Sequence, residues 1–497
     1  MKYVLGVDLG TSAVKVLLVN EAGKVCSEAS REYPLIQEKA GFSEQNPEEW
    51  VEKTLLAIKD ITSGMEDADA IEGMSFSGQM HGLVLLDKEN RVLRPGILWN
   101  DTRTTKECRE IETTLGKERL LALTKNPALE GFTLPKILWV KKHEPEIFDK
   151  AAVFLLPKDY LRYRLTGAIH SEYSDAAGTL LLDVSGKKWS KEICDAFELS
   201  LDICPPLVAS HAKVGGLLPE VAAETGLRAE TGVYAGGADN ACGAIGAGIL
   251  EDGKTLCSVG TSGVVLSYES ASDKDFAGKV HYFNHGDEAA FYTMGVTLAA
   301  GYSLSWFKDV FAADEDFSQL VKAIEESPIG AKGLLFTPYI VGERTPHANA
   351  DIRGSFIGAH SGHEKRDFTR AVVEGITFSL NESIEIFRES GKEIKTIISI
   401  GGGAKSEAWL QIQADVFQAD IVKLASEQGP GMGAAMLAAY GSGWFSSLKE
   451  CADIFVQEKE VYKPDAVRTE KYAKLFQLYK QVYHQTKEIN EGLREFR

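Results

Sequence analysis

The run Val7-Asp8-Leu9-Gly10-Thr11-Ser12 returns as Cys257-Ser258-Val259-Gly260-Thr261-Ser262, about half a chain length further on. Each copy lies between two apolar, β-rich stretches and so reads as a strand–turn–strand hairpin. Self-similarity on this scale is the mark of a duplicated unit, and 497 residues are too many for one core when domains run to ~150. The chain is therefore expected to be α/β, in two lobes of related fold. Residues 1–248 form the first lobe, 249–254 a linker, 255–445 the second lobe, and 446–497 a charged, helical tail. The acid is not repeated, since Asp8 in the first copy corresponds to Ser258 in the second. Two halves that were once equivalent have become chemically different, as a cleft with one catalytic side requires.

The intervening pattern fits this reading. A hairpin turn falls at residues 21–24 around Gly23, and a helix starts at Asn46-Pro47-Glu48-Glu49, where an Asn cap, a first-turn Pro and early acids coincide. Strands at 71–76 and 152–156 alternate with helices at 104–115 and 134–142. Such alternation predicts a mixed sheet covered by helices.

A net charge of −18 argues against general nucleic-acid binding, which needs a basic face. An acidic protein that binds a polyphosphate must do so with local groups: backbone N–H donors, one or two cations and a metal ion. Seven scattered cysteines without a CxxC pair read as reduced thiols, not as a disulfide frame or zinc site. The N-terminal residues carry no apolar signal stretch, and no run approaches the ~18 apolar residues of a membrane span. A cytoplasmic location is expected.

Asp8-Leu9-Gly10-Thr11-Ser12 has the parts of a phosphate loop: a Gly for the tight turn, N–H groups and the Thr11 and Ser12 hydroxyls for phosphate oxygens, and Lys15 within reach. Asp8 suits Mg²⁺, held through water. The plain alternative is an ordinary hairpin turn. Residues 248–255 match G-x-x-x-x-G-K-[ST], yet they follow a helix and lead into a strand, the reverse of a P-loop, and Glu251 and Asp252 would sit where phosphates belong. Gly236-Gly237-Ala238-Asp239-Asn240 ends a strand and starts a helix. There Asp239 is either a helix cap or a general base at a strand's end. Ser77-Gly78-Gln79-Met80-His81-Gly82 and Leu98-Trp99-Asn100-Asp101-Thr102-Arg103 gather the aromatic face and polar groups that a sugar needs. His81 and Trp99 could equally be structural, and Arg103 a surface ion pair. Gly401-Gly402-Gly403 offers close backbone approach to a nucleoside. The small-residue helices near 243–248 and 429–443 are candidates for a hinge between the lobes.

At these residues the chain resembles the FGGY family of carbohydrate kinases over nearly its whole length. Gly131-Phe132-Thr133-Leu134-Pro135-Lys136-Ile137-Leu138-Trp139 is similar to the family's N-terminal signature. Gly354-Ser355-Phe356-Ile357-Gly358 with Arg370-Ala371-Val372-Val373-Glu374-Gly375 is similar to the C-terminal one. The stretches at 77–82, 98–101 and 342–347 are similar to the branch that phosphorylates the ketopentose D-xylulose. The resemblance implies an actin-like, ribonuclease-H-like fold in each lobe, with ATP and sugar meeting in the cleft between them. It implies Asp239 as catalytic base, and Asp8 and Asp239 as the carboxylates of an Mg²⁺ site. Met80, His81, Trp99, Arg103, Asp239 and Asn240 would contact the sugar. Thr11, Ser12, Lys15, Gly260 and Thr261 would handle phosphates, with Gly402 and Gly403 beside the nucleoside. Ribulose, gluconate or glycerol kinases of the same family are the alternatives, followed by a non-catalytic actin-like ATP-binding protein. A homodimer is implied by resemblance only.

Overall fold

Three antiparallel strands, Tyr3–Leu9, Ala13–Asn20 and Val25–Glu32, open the computed structural model, which describes residues 1–497. Ile71–Gly78 then pairs parallel to the first strand, and Gly232–Tyr234 parallel to Ile71–Gly78. The order across the sheet is third, second, first, fourth, fifth. Lys254–Val259, Gly263–Glu269 and Phe291–Thr297 repeat the antiparallel meander, and Thr396–Gly401 and Asp420–Leu424 repeat the two parallel additions in the same order. One strand path used twice is what the recurring hexapeptide predicts. Mixed α/β architecture in two sheet-containing lobes follows.

Alternation along Ala13–Asn20 shows how the first sheet is covered. Val14, Val16 and Leu18 pack with Trp50, Leu55 and Ile58 of the Pro47–Ser63 helix. Leu17 and Val19 face the other way, into a cluster with Met432, Ala435 and Ala439. Period-two side chains thus fill two layers from one strand. The second of those layers comes from the Pro430–Gly441 helix, which follows strand Asp420–Leu424 of the second sheet in sequence but lies on the first. Reciprocally, Ala241 and Ala244 of the Asp239–Gly246 helix join the core that contains Cys257 and Val259 of the second lobe. The two small-residue helices therefore cross between the lobes. At the crossing a side chain on Gly433 would stand 1.9 Å from the Cys242 carbonyl oxygen, so only glycine allows this approach.

One sequence expectation needs correction. Residues 446–497 are not a separate helical tail. Glu458–Tyr462 is a strand that pairs antiparallel with Asp420–Leu424 and completes the second sheet, while Tyr472, Phe476 and Tyr479 of the Ala466–Gly492 helix are buried in the second lobe's core. The strand was hidden because it is a short, charged edge, the composition that protects sheet edges from unwanted pairing. Within residues 248–255, Ile249 and Leu250 are buried, and Glu251 pairs with Lys254 and Lys449. No helix is long and apolar enough to cross a membrane.

Candidate active site

Parallel pairing sets three strand ends side by side. Leu9 lies beside Gly78, and Gly78 beside Ala238. The residues at or next to those ends are Asp8, Gln79 and Asp239, so a carboxylate, an amide and a second carboxylate emerge at one edge of the first sheet. Such an edge is where α/β proteins place ligands.

Asp239 begins its helix and is only partly buried. Its Oδ1 accepts from the Asn240 backbone N–H at 2.6 Å and from Asn240 Nδ2 at 2.9 Å, whereas Oδ2 has no protein donor. Burial and then the nearby charge of Asp8 push its carboxyl up to about 7. Burial likewise pushes Asp8 up to about 6. Two hard oxygen donors, each made less acidic by its surroundings, form a site that a cation would relieve. No third His, Cys or carboxylate completes a metal cluster there, which suits Mg²⁺, an ion that keeps waters and takes phosphate oxygens.

The first hairpin is braced by its neighbours. Trp99 Nε1 donates to Thr11 Oγ1 at 2.9 Å, Gln45 Nε2 to the Thr11 carbonyl at 2.6 Å, and Tyr33 OH to the Gly10 carbonyl. Ser12 stays exposed. Lys15 faces Asp8 across the hairpin, but its ammonium is engaged by Glu28 at 3.0 Å and Gln428 Oε1 at 3.2 Å. The second hairpin faces an open cavity of about 730 Å³, lined by Gly260, Thr261, Gly402 and Gly403 with Leu304 and Phe317. Gly401 turns the chain there with φ +81°, a conformation that favours glycine. Its N–H is accepted by Glu427 at 2.8 Å. Glu427 and Gln428 are adjacent, so one short loop touches Lys15 of the first hairpin and Gly401 beside the second. That loop bridges the two hairpins.

Met80 and His81 lie on the other side of Asp239. Asn240 Nδ2 approaches Met80 Sδ at 3.6 Å, and Tyr292 OH of the second lobe approaches it at 3.8 Å. His81 holds φ +69° and its Nδ1 donates to the Gly178 carbonyl at 2.6 Å. Burial lowers its pKa to about 3, so the imidazole is neutral and Nε2 is left as an acceptor for a hydroxyl.

Arg103 does not join this group. Its side chain is only 2% exposed and pairs with Asp101 at 2.6 Å and Glu44 at 2.7 Å, with its guanidinium 3.6 Å from the Phe42 ring centroid and 4.8 Å from that of Trp139. The partners lie up to sixty residues away in sequence, which is why a surface ion pair or a sugar contact seemed open. Its role is structural. Sequence reasoning named Gln79 only within its stretch, and missed Tyr292 and the cavity-lining Phe317 and Leu304. It also gave no role to Arg344, whose exposed side chain has no carboxylate partner and whose charge is felt at His81 and His281.

Arg344 is set in place by Glu343, which is 2% exposed and accepts from the Arg344 and Leu298 backbone N–H groups at 2.8 and 3.0 Å and from Ser379 Oγ at 3.1 Å. Burial pushes this carboxyl from 4.5 up to about 8. The folded state therefore holds the proton more tightly than the unfolded chain, and its stability falls as pH rises between those two values. Glu343→Gln keeps the accepting oxygen and removes the penalty. At pH 8 the variant is expected to be about 1–3 kcal/mol more stable than the parent, with the gap closing toward pH 5. Denaturant melts at both pH values check this, and a variant less stable at pH 8 contradicts it.

The pattern described as FGGY family of carbohydrate kinases, N-terminal domain, matches residues 3–246, and the corresponding C-terminal domain matches 255–442. The chain is 63% identical to a xylulose kinase of Bacillus subtilis over the full length of both. It superposes on the crystal structure of a "xyloylose kinase" from Brucella ovis with TM-score 0.92 and 35% identity, covering 98% of this chain and 99% of that one. It superposes equally well, at TM-score 0.93 and 28% identity over 98% of both chains, on a gluconate kinase from Lactobacillus acidophilus.

Proposed function

Because the chain belongs to the FGGY family of carbohydrate kinases, we propose that it transfers the γ-phosphoryl group of ATP to the 5-hydroxyl of D-xylulose, giving ADP and D-xylulose 5-phosphate. The observation that carries the chemistry is Asp239, a carboxylate at a strand's end with Oδ1 tied down by Asn240 and Oδ2 free of protein donors. A hydroxyl attacking phosphorus must lose its proton, and a positioned carboxylate accepts it. Asp239 Oδ2 takes that proton as the new O–P bond forms and the bond to the ADP leaving oxygen breaks. Thr11, Ser12, Gly260 and Thr261 supply hydroxyl and N–H donors to the triphosphate from the two hairpins. Gly402 and Gly403 flank the nucleoside. Met80, neutral His81, Trp99 and Asn240 orient the sugar. When bound, Mg²⁺ neutralises charge on the phosphates, and Asp8 and Asp239 are the carboxylates that would hold it. Lys15, with its ammonium already engaged, serves the phosphates less directly than its sequence position suggests.

The sugar is assigned from the full-length identity to a xylulose kinase, because the fold does not discriminate: a gluconate kinase superposes as closely. A coupled assay of ADP release with D-xylulose, D-ribulose, D-gluconate and glycerol tests the assignment. D-xylulose is expected to give the highest kcat/KM, by about 10²-fold or more over glycerol, which is a shorter chain without the carbonyl. A different best sugar would reassign the substrate. Nucleotide binding without sugar-dependent ADP release would instead favour an actin-like ATP-binding protein.

A further inference from the structure

Directly beneath the strand ends that present Asp8, Gln79 and Asp239 lies a fully buried ionic cluster that the reaction itself does not use. Lys158 Nζ meets Asp159 at 2.7 Å, Asp175 at 3.2 Å and Glu172 at 3.3 Å, and Arg162 meets Asp159 at 2.9 Å, all with side chains at 0% exposure. Burying so many charges costs several kcal/mol per ion unless each is paired and hydrogen-bonded. Both Asp175 oxygens lack hydrogen-bond partners, and burial holds that carboxyl well above the usual range. Two cations, Lys158 and Arg162, thus face three carboxylates in one buried cluster. Hydrophobic packing of the same volume would be as stable or more so. Its hydrogen bonds show what it holds.

Two of them grip the chain on either side of Gly236-Gly237. Before the glycines, Arg162 donates to the Ala235 carbonyl at 2.6 Å. After them, the Ala238 N–H donates to Ser174 Oγ at 3.0 Å, and Ser174 Oγ donates on to Glu172 at 2.9 Å. Glu172 is fixed by Ser210 Oγ at 2.8 Å, by the backbone N–H groups of Ser174 and Asp175, and by Lys158. Lys158 in turn sits against Gly78, where a side chain would come within 2.5 Å of Lys158 Cβ. Two consecutive glycines leave the backbone before Asp239 with wide freedom. The cluster removes that freedom.

We propose that Ser174 and Glu172 are positioning residues for the phosphoryl transfer: through the Ala238 N–H they fix the direction in which the Asp239 carboxylate points. The inference rests on the reading of Asp239 as the base. Displacing a reacting group by ~1 Å can cost ~10²-fold, so removal of the Ser174 hydroxyl should act on turnover and not on nucleotide binding.

The test uses the full chain, with ATP and D-xylulose, in four forms: parent, Ser174→Ala, Asp239→Asn and the double variant. Ser174→Ala is expected to lower kcat by roughly 10–10²-fold with KM for ATP within about twofold. In the Asp239→Asn background the same change should cost less than about twofold, because a group that acts through Asp239 has nothing left to position. A kcat for Ser174→Ala within twofold of the parent overturns the proposal, as does an undiminished loss in the double variant. If Ser174→Ala does not fold, Ser210→Ala carries the test: it loosens Glu172 while leaving Ser174 in place, and about a threefold fall in kcat, absent beside Asp239→Asn, is expected. An unchanged kcat, or one that falls equally in both backgrounds, overturns the proposal. If Asp239→Asn alone keeps normal turnover, the reading of Asp239 fails first, a result distinct from failure of the clamp.

Discussion

Asp239→Asn is expected to lower kcat by roughly 10²–10⁴-fold, the range spanned by loss of a general base, while D-xylulose affinity stays within about threefold. Asn has the same shape and keeps an oxygen that can accept from the Asn240 N–H groups now bonded to Oδ1. It cannot take a proton from a hydroxyl. The fold should not suffer. Burial and the charge of Asp8 make an ionised carboxylate costly at this position, so a neutral amide relieves the folded state. Lost activity in a protein at least as heat-resistant as the parent separates a chemical defect from a structural one. Sugar titration calorimetry with initial-rate assays and thermal melts on the same preparation reads all three quantities. Near-normal turnover would remove Asp239 from its role.

Gly433→Ala carries the largest expected effect on stability. In a helix interior Ala is favoured over Gly by ~1 kcal/mol, so the helix taken alone would gain. The lobe interface decides the sign, because the new methyl would stand 1.9 Å from the Cys242 carbonyl oxygen, a backbone atom that cannot swing aside. Overpacking of this kind costs about 3 kcal/mol or more, which outweighs propensity and should appear as a fall on the order of 5–10 °C in Tm. Cys242 belongs to the helix headed by Asp239, so forcing the helices apart should also depress kcat. The same crossing is the natural pivot if the lobes close over sugar and exclude water. An unchanged or higher Tm would mean that the helices do not meet at backbone distance.

What the sequence revealed was local, and what it concealed was assembled from distant parts. The duplicated hairpin, the Asn46 cap, the glycine-rich turn at 401–403 and Asp239 at a strand's end are each written in a few consecutive residues. Their physics is complete at that range. Arg103 looked available because Glu44, Phe42 and Trp139 come to it only through the fold. Lys15 looked like a free phosphate ligand because Gln428, which engages its ammonium, is 413 residues away. The buried cluster around Lys158 has no period or spacing to betray it, since its members come from the Pro157–Thr166 helix, the short strand Ser171–Glu172 and the short helix Tyr173–Ala176. Glu458–Tyr462 is charged enough to pass for a solvated tail, yet it closes the second sheet. Arg344 lies in a stretch that resembled the family pattern, but only the fold shows that no carboxylate forms an ion pair with it.

Phosphoryl transfer as proposed depends on one geometry: two equivalent hairpins on opposite walls of a cleft, with a single carboxylate facing the acceptor. A crystal structure with a non-hydrolysable ATP analogue and D-xylulose measures it directly. The prediction is a terminal phosphate held between residues 10–12 and 260–262, with the sugar's 5-hydroxyl about 2.6–3.2 Å from Asp239. Phosphates contacted by one hairpin alone, or a sugar seated away from Asp239, would contradict it.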